Sequence, residues 1–478
     1  MGDRLTVFIL GLDGASLENI MRVMKRTELP NFEKVINKGR AYDLRSIYPY
    51  VTGPAWTSIF SGVNPGKHGI FDQLESDGQS LHPPNLNNCE VPFLWDYLSW
   101  AGKKILVMGV QFVHPSPQVN GTFVTGRFSP RVYCYPDDIK YRFDFSGYDF
   151  GELSDAKSKW KYVKKYGTRG LWERSIEQLR SRAKASISLI DSAAWDAVIL
   201  VDSQPDEVLH LSYGQEDAEN ELFNSLDNWL GELENRVKSE DTLLLLSDHG
   251  FSAVDSSFMI DEWLRRKGFL VKPGRTRSRV VNALDRKSAV LDKSFKGRKV
   301  HSLLIRKLSS LMGLKDEPKS IEELAEKSRK EGSKVIPLIF NEQFAWLRLL
   351  CKSEADRELT ARRILREAED LKSEGILKNV FRSTDLFSGK YTFKAPGDLL
   401  IELSDGICLA KKSKESDNLV SKLGQDKRGT HRLNGMLVFY GSVMPKESIQ
   451  PVLYDIVPTV LRILRIPCPM YVEGKALV

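Results

Sequence analysis

The chain reads as an α/β protein: a doubly wound, mostly parallel sheet with helices on both faces and an inserted cap subdomain. Three observations carry that expectation. Four short runs are almost wholly apolar: Val7–Leu10, Lys104–Met108, Ala197–Val201 and Thr242–Leu246. Strands buried on both faces of a parallel sheet have this composition, whereas a half-exposed strand alternates. Between the runs lie Trp172–Ser192 and Asp217–Val237, which mix charged and apolar residues at helical spacing. Aspartates and histidines then follow the ends of the strand-like runs, where open α/β sheets gather their ligands.

In chain order, the first run ends in Asp13-Gly14, a carboxylate directly after a core strand. Thr52-Gly53-Pro54-Ala55 supplies a hydroxyl in what could equally be a plain Thr-Gly-Pro turn. After the third run come Asp206 and His210, four residues apart, so that one helical turn puts both on one face. A capped first turn with a solvated imidazole would show the same spacing. Asp248-His249 follows the fourth run, and two ionisable groups at the edge of an apolar sheet must be satisfied by something. A metal satisfies both; a salt bridge with a backbone hydrogen bond is the simpler alternative. Gly429-Thr430-His431 completes the set, which takes in three of the seven histidines. Mixed Asp/His ligation without thiolate suits Zn²⁺, with Mn²⁺ and Fe²⁺ as competitors.

At 478 residues the chain exceeds one ordinary core. Its 41% apolar and 28% charged residues exclude a disordered or fibrous chain. Five scattered cysteines without a CxxC pattern read as a reduced, cytoplasmic complement. No apolar run approaches the roughly 20 residues of a spanning helix. Met1-Gly2-Asp3-Arg4-Leu5-Thr6 fits a myristoylation pattern formally, but Thr6 already opens a core strand. Between Arg265 and Lys307 stand fifteen Lys and Arg against Asp285 and Asp292, a local excess larger than the +7 of the whole chain. The charge is therefore local, and no specific nucleic-acid recognition follows from it. Leu303, Leu304, Leu308, Leu311 and Met312 make an apolar stripe beside these cations. The stripe either docks on the core or lets 265–315 lie peripherally on an anionic membrane or polyanion. The expected division is a core of residues 1–262 and 336–478, with 263–335 as the basic cap.

The ordered set resembles the alkaline phosphatase superfamily, and within it the type I phosphodiesterase/nucleotide pyrophosphatase family. The resemblance begins at Leu12-Asp13-Gly14 and runs through Pro30-Asn31-Phe32 and Thr52 to Ser58. It continues in Gly62 to Ile70, Asp206 to His210, Asp248-His249-Gly250 and Gly429 to Arg432, and closes with Asp455 to Thr459, Ile466-Pro467 and Glu473-Gly474. It implies two divalent metal ions, one on Asp206, His210 and His431 and the other on Asp13, Asp248 and His249, with the Thr52 hydroxyl bridging. It further implies Thr52 as nucleophile and a small-molecule phosphate ester as substrate. His68, in a Pro/Gly-punctuated loop, is expected to tie that loop down near the nucleophile, while His82, His114 and His301 have no metal-type partners.

The chain departs from the family where Thr-Phe-Pro-Asn is usual and Thr52-Gly53-Pro54-Ala55 stands. The missing Asn amide leaves Thr57, backbone N–H groups or the metals to hold the phosphoryl oxygens, and puts nucleotide specificity in doubt. A sulfatase-like Cys/Ser-x-Pro-x-Arg signature is absent. The reading is a phosphodiesterase. Its alternatives are a phosphomonoesterase or phosphomutase on the same metal core, or a non-catalytic anion- or membrane-binding protein.

Overall fold

The computed structural model describes residues 5–148, 156–271, 320–410, 418–423, 428–445 and 449–478. The four apolar runs are strands: β1 (Val7–Leu12), β2 (Ile105–Met108), β3 (Ala197–Asp202) and β4 (Thr242–Leu246). They lie side by side in the order β4-β1-β3-β2, all parallel, and Gly121–Val124 adds a fifth parallel strand beyond β2. Antiparallel strands close both edges: Asn434–Gly441 and then Arg40–Arg45 beyond β4, and Cys134–Tyr135 at the far end.

The period-two geometry of a strand sends alternate residues to opposite faces, and each face has its own core. Phe8, Leu10 and Leu12 pack into one core, and Val7 and Ile9 into the other. Helices cover both faces: α1 (Thr52–Ser61) on the second core, α2 (Ala156–Ile190, interrupted at Gly167), α3 (Gln204–Ser212) and α4 (Glu216–Glu234) on the first. The doubly wound architecture is the one expected.

A second, antiparallel sheet runs in the order Val335–Leu338, Phe344–Leu349, Leu399–Leu403, Leu377–Arg382. Helix Glu354–Ser373 packs its buried Ala361, Ile364, Ala368 and Leu371 against one face. The other face meets Tyr50, Val51 and Phe71 of the first unit, with Trp346 and Phe387 between them. Most of this sheet falls in 336–478, the stretch that sequence gave to the core. Its strands are as apolar as β1 to β4, so composition does not separate the two sheets. Residues 272–319, which hold most of the basic stretch and its apolar stripe, lie outside the described residues. Among the described residues, no helix is long and apolar enough to cross a membrane.

Candidate metal centre and nucleophile

The carboxyl edge of the parallel sheet gathers the expected residues. Asp13 follows β1, Asp248 and His249 follow β4, and Asp206 and His210 stand one turn apart on α3, which starts just after β3. His431 arrives from far along the chain. Strand Gly429–Arg432 pairs antiparallel with Gly250–Ala253, His431 opposite Phe251. This pairing lays the His431 ring on that of His249, centroids 3.8 Å apart.

Two clusters result. In one, Asp206 Oδ1 lies 3.0 Å from His431 Nε2 and 3.3 Å from His210 Nε2, and the two imidazole nitrogens are 2.9 Å apart. In the other, His249 Nε2 lies 3.3 Å from Asp13 Oδ1 and 3.4 Å from Asp248 Oδ2. Ligands at 2.0–2.1 Å around one tetrahedral ion stand about 3.4 Å from each other, so both sets are spaced to share a cation. The tautomers agree. Each histidine gives its Nδ1–H to a backbone carbonyl: His210 to Gly429 (3.2 Å), His249 to Gly250 (3.2 Å), His431 to Tyr50 (3.1 Å). In the neutral ring that leaves the Nε2 lone pair facing the cluster, the arrangement of a metal-ligating imidazole. Asp13 Oδ1, Asp248 Oδ2 and His249 Nε2 are buried with no hydrogen-bond partner. Buried polar atoms are rarely orphaned, and a cation at their meeting point would satisfy all three.

The electrostatics show the same need. Burial, then the charge of Asp206, raises the Asp13 carboxyl above its usual range; burial and Asp13 raise Asp248 well above it. At His249 burial works downward but Asp248 and Asp13 outweigh it, lifting the imidazole to about 9. Asp206 is held well below the carboxylate range because His210 and His431 overcome its burial. His431 is pushed down to about 3, by burial and then by His249. Crowded acids that favour protons are acids that favour a divalent cation.

Thr52 is the first residue of α1 and is 2% exposed. It stands between Tyr50, whose carbonyl holds His431, and Trp56, whose Nε1 donates to Asp13 Oδ2 at 3.2 Å. One short segment thus touches both clusters, with the Thr52 hydroxyl at a helix N-terminus whose free N–H groups favour negative charge. Tyr50 also donates its phenol O–H to Glu402 of the second sheet, at 2.8 Å. Gly14, at φ 75°, gives its N–H to Asp248 Oδ1 at 3.3 Å, and a Cβ there would meet the Phe251 ring at 2.5 Å.

The remaining expectations separate. Ile70 N–H donates to His68 Nδ1 (3.1 Å), so His68 Nε2 carries a proton and donates to Ser58 Oγ of α1 (3.0 Å). The loop is tied to α1, the helix that Thr52 opens. Thr57 does not take over the missing Asn's task, because its hydroxyl is spent on the Gly53 carbonyl at 2.6 Å. His82 lies beside Glu75 and Asp77 at 3.5 and 3.9 Å, away from the two clusters. His301, Arg275, Arg277 and Arg279 lie outside the described residues.

Sequence reasoning missed three participants. Gln111, from the turn after β2, and Trp56 of α1 both donate to Asp13 Oδ2. Arg127 is ion-paired to Glu207 on α3 and feels both Asp206 and Asp13. The neighbours Phe112 and Phe128 both hold positive φ, 61° and 65°, with rings stacked at 4.2 Å. Strained non-glycine backbone clusters at functional sites, yet nothing in a sequence announces it. Beside His210 and His431 opens a pocket of about 490 Å³, walled on the second-sheet side by Phe340 to Gln343.

The sequence profile of the type I phosphodiesterase/nucleotide pyrophosphatase family matches residues 7–434. The chain belongs to that family, whose members hydrolyse phosphate esters. Among curated protein sequences none matches. Among solved structures, phosphonoacetate hydrolase from Sinorhizobium meliloti, in complex with phosphonoformate, aligns with a TM-score of 0.57 at 12% identity. That alignment covers 96% of this chain and 95% of the other. Murine ectonucleotide pyrophosphatase/phosphodiesterase 5 aligns with a TM-score of 0.51 at 11% identity, over 97% and 96% of the two chains. An inactive threonine-to-alanine variant of the murine protein, bound to AMP, gives 0.52 at 10% identity, over 97% and 96%. At these identities the likeness is one of fold.

Proposed function

We propose that the protein hydrolyses phosphate diesters through a phosphothreonine intermediate on Thr52. The observation that carries this is the convergence of six ligand atoms in two adjoining clusters, with Thr52 on the segment that touches both. Divalent cations there, Zn²⁺ before Mn²⁺ or Fe²⁺, would supply the positive charge that lowers the hydroxyl's pKa and stabilises the leaving oxygen. The chain's own groups do the rest. Carbonyls of Gly429, Gly250 and Tyr50 aim the imidazoles, while Trp56 and Gln111 turn Asp13. The Thr52 oxygen attacks phosphorus as its proton leaves, the bond to one ester oxygen breaks, and the departing alcohol takes up a proton. Water then cleaves the Thr52–phosphorus bond and restores the hydroxyl. The inactive threonine-to-alanine form of the murine enzyme supports a threonine in this role.

The diester preference rests on charge. A monoester dianion needs an additional cation or strong donor aimed at its extra oxygen. Position 55 is alanine, Thr57 is committed within its helix, and Arg127 is committed to Glu207. Bis-p-nitrophenyl phosphate is therefore expected to show a higher kcat/KM than p-nitrophenyl phosphate. The reverse order would favour the phosphomonoesterase reading. The cytoplasmic setting, and peripheral contact of 265–315 with an anionic membrane, belong to the same proposal. They are supported by five free thiols and by the cations of that stretch.

A further inference from the structure

We infer that the pocket beside His210 and His431 takes a hydroxyl-rich alcohol, a sugar or polyol, as the ester group the enzyme retains after the first cleavage; this rests on the phosphodiesterase reading above. The pocket's volume of about 490 Å³ lies in the range that encloses a small-molecule group. Its chemistry narrows the choice. Gln343 is 1% exposed and donates its Nε2–H to the Leu403 carbonyl at 2.6 Å, which fixes the amide and leaves Oε1 buried with no donor. With that oxygen closed off from solvent, Gln343 stiffens the pocket wall, and the amides open to a ligand come from other residues. Gln73 and Gln215, both half-buried, present further amides to the same space.

Charge and ring count weigh against the competing classes. Glu342 and Arg428 face each other at 3.5 Å, so the wall offers a donor and an acceptor side by side and little net charge for a polyphosphate. Phe340 is the one carbocyclic ring among the described lining residues, where nucleobase sites usually stack the base on aromatic faces. Leu211 is the one aliphatic side chain, too little to hold an acyl tail. Amides, a balanced ion pair and a single ring suit vicinal hydroxyls, each of which donates and accepts at once.

The test uses the metal-loaded full chain with bis-p-nitrophenyl phosphate as reporter and three inhibitors: glucose 6-phosphate, AMP and inorganic phosphate. Glucose 6-phosphate is expected to inhibit at a concentration about tenfold lower than AMP, the difference of one to two hydrogen bonds. Gln215→Leu, and separately Gln73→Leu, should raise the glucose 6-phosphate inhibition constant about fivefold relative to that of inorganic phosphate, as one lost hydrogen bond would. Calorimetric titration of the same ligands gives the same ranking without turnover. AMP binding as tightly as glucose 6-phosphate, or substitutions that weaken phosphate equally, would overturn the assignment. Failure to cleave the reporter, with the calorimetric ranking intact, would instead count against the diesterase reading and leave the pocket's chemistry standing.

Discussion

The two ligand clusters differ in how far the fold commits them before any ion arrives. Asp13, Asp248 and His249 sit on the ends of adjacent strands at 0–1% exposure, and three of their ligand atoms have no other partner. Asp206, His210 and His431 come from a helix and a late strand, partly satisfy one another, and leave the His210 side chain 32% exposed to the pocket. The sealed cluster is an extension of the sheet; the open one faces the pocket. Thr52 lies on the segment whose Tyr50 and Trp56 contact one cluster each. One half of the candidate centre is thus enclosed and the other open.

The largest effect should come from the residue that spans the division. Thr52→Ala is expected to lower turnover by on the order of 10³-fold or more, because the covalent route is lost. Metal content should stay at the wild-type level. Near-normal rates in this variant would make water the attacking group. Next in size, slow chelation should strip the two sites in sequence, with activity lost in the first phase as the open site empties. Metal analysis against time reads this directly, and a single concerted release would erase the distinction drawn above.

Substitution should separate the clusters by sign. In the metal-free protein Asp248→Asn removes one of two crowded buried carboxylates and is expected to raise Tm by a few degrees, whereas His210→Ala should leave it near wild type. In the loaded protein both should lower Tm. A fall in metal-free Tm for Asp248→Asn would mean that the sealed cluster is not strained without its ion.

The smallest effect lies outside both. Burial holds His68 at about 3, below its unfolded value near 6.5. The unfolded state binds the proton first, so this contribution to stability is fully present above pH 6.5 and is lost as pH falls towards 3. Asp72, raised to about 6 by burial, works in the opposite direction over part of that range, so the variant difference is the informative quantity. His68→Gln should cost about 1 kcal/mol at pH 7, for its hydrogen bonds, and flatten the acid limb of a Tm-against-pH curve. An unchanged limb would place its origin elsewhere.

Much of the centre was legible because strand ends are legible. An all-apolar run that stops at Asp13, or at Ser247-Asp248-His249, states where a buried sheet ends and what stands at its edge. Helical spacing put Asp206 and His210 on one face, and α3 bears that out. What sequence could not state is what tertiary geometry alone decides. Gln111 and Arg127 reach the site from turns held open by two stacked, left-handed phenylalanines, and phenylalanine is not a residue that advertises positive φ. Phe344–Leu349 and Leu399–Leu403 read like any core strand, so nothing marked them as a separate sheet whose loop would wall the pocket.

Tyr50 gives that second sheet a hold on the chemistry. Its hydroxyl is fastened to Glu402, its carbonyl to the His431 imidazole, and Thr52 follows two residues later. Hydrogen-bonded at both ends, Tyr50 links the second sheet to the His431 imidazole. A shift of the sheet passed through this tyrosine would alter the setting of His431, and any such coupling between pocket and open cluster would be reciprocal. A ligand seated under Phe340 to Gln343 would then be expected to shift the metal affinity of the open cluster.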